Sequence, residues 1–468
     1  MEQRELPTNW TIATIEDIAA YVQRGKSPKY ADRSELPVIN QKCIRWHGIE
    51  KGFVKFVHDS QIAKWDEIRY LKKGDLLWNS TGTGTIGRAC LYKDEFPQAV
   101  VDSHVTIVRA DQRAIEPRYL RLFVMSPLVQ EHFEEMQSGS TNQVELSRVA
   151  ILEKELPLAP INEQRRIAEK VETLFAQQDK GDEALREVQK LLARYRQSVL
   201  KAAVTGHLPA AWRAENAHRL EHGRDLLARI LKARRETWQG RGKYKEPSAP
   251  DTSGLPDLPE GWAWASIAQL AKVIGGLTKN KKRADMPIRR PMLRVANVYQ
   301  NRLEIDDIHE TGVSEAEVER VQLENFDLLV VEGNGSKDQI GRMAIWRNEI
   351  PDAVHQNHLI KVRMLEKGLV EFALNWFQSA YGRQNIERVA SSTSGLYTLS
   401  ISKIGALVTP VPGLAEVAEI NDQVADAFEK VTHLQEWAET ELARSAALRQ
   451  SILKEAFAGR LVPQDPAD

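Results

Sequence analysis

Ser198-Val199-Leu200-Lys201-Ala202-Ala203-Val204-Thr205-Gly206-His207-Leu208 returns 253 positions later as Ser451-Ile452-Leu453-Lys454-Glu455-Ala456-Phe457-Ala458-Gly459-Arg460-Leu461. Outward from these two closings, the openings match as well: Leu6-Pro7-Thr8-Asn9-Trp10 is answered by Leu258-Pro259-Glu260-Gly261-Trp262, 252 positions on. Between them Asp75-Leu76-Leu77 pairs with Asp327-Leu328-Leu329, His104 with His358 and Arg109 with Arg363, at offsets of 252 to 254. A repeat this long is no solenoid, whose unit runs roughly 20–50 residues. It is one domain-plus-helix written twice, with small loop insertions between the copies.

Each copy reads as two pieces. The first is mixed, with short strand-like runs such as Val38-Ile39-Asn40 and Val105-Thr106-Ile107-Val108 between turns. The second is a long helix. Asn162 is placed to cap a run beginning Glu163-Gln164. Ile167, Val171, Leu174, Gln178, Gly181, Leu185, Val188, Leu192, Tyr195, Val199 and Ala202 then form a heptad seam with a polar break at Gln178 and Gly181. Ile420, Val424, Val431, Leu434, Leu448 and Ile452 form the second seam, and Gly206 and Gly459 mark the helix stops. At ~1.5 Å per residue such a helix is a rod of about 65 Å. The plain alternative is core packing inside a globular helical domain. The expectation adopted is that the two helices pack on each other, antiparallel, as a spacer carrying one domain at each end.

The fold class expected is therefore α+β: two pseudo-two-fold-related globular domains, 1–160 and 257–412, separated by a coiled coil of two long helices, 161–206 and 413–468. Residues 207–256 read as one basic helix, then a linker through Glu246-Pro247-Ser248-Ala249-Pro250. Its charge run is ordinarily a solvated face, with a phosphate or partner contact as the alternative.

The chain has 468 residues, 42% hydrophobic and 28% charged, enough for several packed cores. Two cysteines, Cys43 and Cys90, argue against a disulfide framework and suit a reducing cytoplasm. The opening residues carry no signal-peptide pattern, and no apolar run approaches the ~18 residues of a membrane span. A net charge of −1 argues against a globally basic nucleic-acid binder, though not against local basic patches.

Gly82-Thr83-Gly84-Thr85-Ile86-Gly87 fits the dinucleotide fingerprint in letters only. That motif needs a helix after the loop, and a strand-like Ala89-Cys90-Leu91 follows instead. Asn79, Ser80, Thr81, Thr83 and Arg88 offer short donors and acceptors suited to base edges and phosphates. The second copy has Asn334, Ser336, Lys337, Gln339 and Arg342 in the same frame. The alternative for both is an ordinary surface turn. Lys26, Lys29 and Tyr30 in the first copy, and Asn280, Lys281, Lys282 and Arg283 in the second, are candidate phosphate anchors. Thr141 and Asn142, and Ser392 and Thr393, lie in matching polar loops. His104 and His358 recur in register without a nucleophile or metal-ligand pattern beside them, which favours a hydrogen-bonded or base-contacting histidine over a catalytic one. No catalytic constellation and no metal site is recognisable.

These residues resemble the DNA-specificity subunit of Type I restriction-modification enzymes over essentially the whole chain. The signs are Leu-Pro-x-x-Trp opening each half, Ile86-Gly87-Arg88 and Ile340-Gly341-Arg342 after the loops, Pro157-Leu158-Ala159-Pro160-Ile161-Asn162-Glu163-Gln164, and Ser-x-Leu-Lys-x-Ala closing both helices. The resemblance implies two target recognition domains, each reading half of a split, asymmetric site in double-stranded DNA, with the coiled coil setting the unread gap. It implies a non-catalytic cytoplasmic adaptor that docks two modification subunits, and through them two restriction subunits; the alternative is a coiled-coil protein-interaction scaffold without DNA specificity. The chain itself would carry no cofactor; S-adenosylmethionine, ATP and Mg are expected on the partners. Glu163, Gln164 and Glu416 are the residues it suggests for partner contact. The second copy departs at Glu416-Val417, where the first has Glu163-Gln164.

Overall fold

The computed structural model describes residues 6–82, 84–138, 144–238, 242–337, 339–393 and 396–465, with the side chains of 391–393 excepted. The candidate residues Thr83, Thr141 and Asn142 lie outside this set, and of Ser392 and Thr393 only the strand 391–393 is described. Helices α1 (Ile161–Val204), α2 (Ala210–Asn216), α3 (Gly223–Glu236) and α4 (Leu414–Phe457) follow in chain order. The chain divides into two units, Met1–Glu187 with Ala438–Asp468, and Val188–Trp437.

In the first unit, strands β1 (Thr11–Thr14), β2 (Ala19–Arg24), β3 (Leu76–Asn79), β4 (Ala89–Leu91), β5 (Val105–Ala110) and β6 (Glu155–Leu158) carry the framework. β1 pairs antiparallel with β6, and an antiparallel sheet runs in the order β2–β5–β3–β4. Alternate side chains enter different cores, as a pleated strand requires. Leu76 and Trp78 of β3 join Leu120 and Phe123 of the helix Pro117–Met125, whereas Leu77 joins Ile39, Cys90 and Ile107 on the other face. A sheet buried on both faces reads as near-continuous apolar runs. A second sheet orders Val100–Val101, Pro37–Ile39, Lys55–Val57 and Tyr30–Ala31.

The second unit repeats this plan. Strands β7 (Ala263–Ser266), β8 (Ala271–Gly275), β9 (Leu328–Val331), β10 (Met343–Ile345), β11 (Leu359–Met364) and β12 (Val408–Val411) pair as β7 with β12 and in the order β8–β11–β9–β10. One charged strap recurs at equivalent places. Arg109 donates through Nε and Nη2 to both oxygens of the buried Asp75 at 2.8 and 2.7 Å, and Arg363 does the same to Asp327 at 2.7 and 2.6 Å. Such forked pairs add direction as well as charge.

Each long helix is pinned at its start by the tryptophan of Leu-Pro-x-x-Trp. The Trp10 indole donates to Glu163 at 3.0 Å, and the Trp262 indole to Glu416 at 2.9 Å. The helix ends are equally specific. Gly206 and Gly459 adopt φ of +71° and +68°, and a Cβ there would lie 2.4 Å from Pro259 and 2.3 Å from Pro7. The start of α1 thus packs in the first unit and its end in the second, and α4 does the reverse.

Three sequence expectations change here. The helix starts at Ile161, so Asn162 sits in the first turn and accepts from Arg165 rather than capping. The seam is buried at Ile167, Val171, Leu192 and Val199, yet Tyr195, Leu434 and Leu448 are about half exposed, while Phe175, Leu200, Ala438 and Leu453 are buried in their neighbourhood. An ideal helix drifts ~20° per heptad against a strict 3.5-residue repeat, and over several heptads that rotates the assigned seam off the contact. The single basic helix of 207–256 is two helices, α2 and α3. Leu226 and Ile230 of α3 are buried in the second core, so that helix is a packing element as well as a charged face.

Candidate nucleic-acid interface

Between β3 and β4 the glycine-rich loop is a connection of two antiparallel neighbours with no helix after it, so the phosphate-cradling geometry of a dinucleotide fold does not arise. Its polar side chains mostly serve the loop itself. Asn79 is fully buried and donates to the carbonyls of Gln41 and Thr85 at 3.0 and 3.1 Å. Ser80 is fully buried and shares a 2.5 Å hydrogen bond with Thr106. Thr81 is buried between Gln41 and His104, 2.6 Å from the His104 Nδ1. These three candidates are corrected to loop-building roles: a side chain whose donors are spent inside the fold has none to offer a base edge. Gly82 has φ +98°, and a Cβ there would sit 2.2 Å from Gln41 Oε1, so the loop is closed on Gln41. Thr85 also spends its hydroxyl inside the loop, on the carbonyls of Thr81 and Gly82, and Ile86 packs on the first core. Among the described residues this leaves the exposed Gly84 and the half-buried Arg88, whose side chain has no hydrogen bond or ion pair to any described residue. The result, among the described residues, is a platform closed on itself with few outward polar groups.

Lys26 and Lys29 are exposed; Lys26 lies 3.6 Å from Asp66. Tyr30 is part of a small structural cluster, with its hydroxyl donating to Asp102 at 3.3 Å and Lys55 over its ring at 4.6 Å. Burial first, and then the Asp102 charge, push the Tyr30 phenol up to about 12. Arg24, of the same basic loop, joins this edge: it donates to Ser103 O and to Glu145.

In the second unit the basic loop forms one wall of a cleft of about 440 Å³ that includes Lys279, Asn280, Lys281, Arg289, Arg294 and His309. Asn280 caps a short 3₁₀ turn by accepting from Lys282 N, which presents Lys281 and Lys282 to solvent. Arg283 is corrected to a strap. It donates to both oxygens of Glu317 at 3.1 and 2.7 Å and to the carbonyls of Thr278 and Gly312. Those bonds hold the Glu317 carboxyl down at about 2. In the following loop Asn334 accepts from Ser336 N, Ser336 is exposed, and Lys337 pairs with Glu387 at 3.1 Å. Gln339 and Arg342 line a separate cleft of about 510 Å³. Arg342 and Arg302 flank the Tyr299 ring at 5.3 and 5.0 Å.

The three partner-contact candidates are also corrected. Glu163 and Gln164 are fully buried and Glu416 nearly so. Besides Trp10, Glu163 accepts from Gln464 at 2.6 Å; Gln164 accepts from Glu116 N and donates to the carbonyls of Ala114 and Ala159. Glu416 receives Arg213 as well as Trp262. Val417, where the second copy loses the glutamine, is simply apolar core. Exposed large side chains on the long helices are Leu191, Tyr195, Leu434, Trp437 and Leu448.

Neither cysteine is poised for chemistry: burial pushes the Cys43 thiol to about 11 and Cys90 to about 12. Among the described residues no group of His, Cys, Asp and Glu could hold a metal ion, and no helix is long and apolar enough to cross a membrane.

Residues 7–187 match the family of Type I restriction modification DNA specificity domains. The second half, which lies outside that match, repeats the strand order of the first. Along its length the chain is similar to Type I restriction enzyme specificity subunits. It is 23% identical to the EcoKI specificity subunit of Escherichia coli over 99% of this chain and 92% of that one. It is likewise 23% identical to the StySPI specificity subunit of Salmonella potsdam, with the same coverage. Two solved chains share the fold. One, from work on assembly and conformational transition of a type I R-M system, has a TM-score of 0.62 at 16% identity, covering 98% of this chain and 100% of that chain. The other, the HsdS subunit of Thermoanaerobacter tengcongensis, has a TM-score of 0.50 at 16% identity over 98% of this chain and 99% of that one.

Proposed function

We propose that the chain is the DNA-specificity subunit of a Type I restriction-modification complex, with each unit reading one half of a split, asymmetric site in double-stranded DNA. The observation that carries this reading is the duplication itself. The framework is the same in both units, down to the Arg–Asp strap and the Trp–Glu clamp, while the outward loop chemistry differs. Two unlike readers on one scaffold are what an asymmetric site requires. Each half-site discriminates by only about 1–3 kcal/mol per mismatched pair. Tethering two readers makes the second engagement intramolecular and multiplies affinity.

The chain acts as a cytoplasmic, non-catalytic adaptor. The long helices dock two modification subunits, and their exposed apolar positions, Leu191 with Tyr195 and Leu434 with Trp437, offer contact chemistry at i,i+4 and i,i+3 spacing. Two restriction subunits join through those partners, and S-adenosylmethionine, ATP and Mg belong to the partners. Methylation mapping of genomic DNA, in cells carrying this chain with its modification subunit, tests the reading. A split adenine-methylated motif that disappears with the chain is expected; motif methylation persisting without it sinks the proposal.

A further inference from the structure

One asymmetry between the units lies at one arginine of each long helix. Arg196 of α1 and Arg449 of α4 are 253 positions apart, as are Phe428 and Phe175. The two arginines do the same thing: Arg196 lies over the Phe428 ring at 4.0 Å and Arg449 over the Phe175 ring at 5.1 Å. Their charges are treated differently. Arg449 meets Asp179 at 2.6 Å and Asp182 at 3.5 Å. In the second unit those two positions are Thr432 and Gln435, and Arg196 has no carboxylate partner among the described residues. Burial alone acts on it and pulls its pKa below the ordinary arginine value.

Arg196 opens on the cleft of about 510 Å³, whose lining includes Gln197, Gln339, Arg342, Gln378 and Arg383 and, among the described residues, no carboxylate. Two N–H groups in that lining are buried and unsatisfied, Arg342 Nε and Gln378 Nε2. A buried donor without an acceptor is unfavourable, so among the described residues this cleft is short of acceptor oxygens. The first unit carries Met125 and Gln130 at the positions of Gln378 and Arg383.

We propose that this cleft binds a phosphodiester of the DNA backbone beside the half-site read by the second unit, making α1 a DNA-contacting helix on one side only. A phosphate supplies tetrahedral acceptor oxygens to forked guanidinium donors. A nucleic-acid strand is favoured over an acidic peptide because Gln339 and Arg342 close the same loop that carries Asn334 and Ser336. A strand presenting bases to that loop brings its backbone past the cleft. The inference rests on the DNA-specificity reading.

The test is the salt dependence of DNA binding by the full chain assembled with modification subunits, comparing the parent with R196Q, R196K and R449Q. Losing one phosphate contact lowers the slope of log K against log salt by about 0.9. R196Q should show that loss with the methylated motif unchanged, R196K should recover most of it, and R449Q should keep the parent slope. Thermal melts of each variant control for folding. A parent slope in R196Q overturns the proposal. So does an R196Q complex that assembles poorly with modification subunits yet binds DNA with the parent slope, since a protein segment would then fill the cleft. If the parent complex prefers no DNA sequence, the functional reading falls, and this one with it.

Discussion

Glu163 is suggested from sequence as a partner contact, at the start of a long helix. Its actual role is to accept the Trp10 indole across a separation of 153 residues. Replacing it by alanine leaves that buried donor unpaired, and a loss of about 1–3 kcal/mol from the first unit is expected in denaturant unfolding. Glu163→Ala with parental stability but lost subunit assembly would restore the partner-contact role. A second residue-scale prediction concerns His355 and Lys361, which replace Val101 and Ile107 of the first copy. Burial, then neighbouring cations, hold His355 neutral down to about 3. The unfolded chain takes up that proton below about 6.5, so stability falls as pH drops from 6.5 toward 3, and His355→Val should remove part of that slope. Burial lowers Lys361 to about 8, against 10.5 unfolded. The unfolded state binds the extra proton in that window, so stability rises from pH 8 to 10.5, and Lys361→Ile should flatten it. Denaturant midpoints across pH read both effects.

At the scale of elements, the repeat, the long helices and their glycine stops were legible, because each rests on local chemistry: matched motifs, periodicity and an αL terminator. The site was less so. Asn79, Ser80 and Thr81 advertise base-reading groups, yet a tight loop must first satisfy its own polar groups, and only the fold shows that Gln41, Thr106 and His104 consume them. Arg196 lies beside the heptad seam and carries no motif; the one signal available was that Asp179 and Asp182 of the first copy become Thr432 and Gln435 in the second. The loop itself makes a prediction. Gly82→Val, at φ +98° and 2.2 Å from Gln41, should displace Gln41 and loosen the platform. Weakened discrimination in DNA-binding competition, with the strand framework intact by circular dichroism, is the expected result. The helices make another. A four-residue insertion in α1 should change the unread gap of the methylated motif, and an unchanged gap with binding intact would end the spacer role.

For the whole molecule, the packing at Gly206 and Gly459 has a further consequence. The end of α1 meets Pro259 as the end of α4 meets Pro7, so the two sockets are chemically alike. A gene encoding residues 1–207 alone would leave Val199, Leu200, Ala203 and Val204 uncovered, and the only fitting socket would belong to another copy of itself. Two such half-length protomers can exchange helix ends, each capping the other, to give a domain-swapped homodimer. Sedimentation should find it a dimer, and Gly206→Val should return it to monomer or aggregate. That dimer would be strictly symmetric and, under the proposed function, so would the site it reads; fusion into one chain is what leaves the two halves free to diverge.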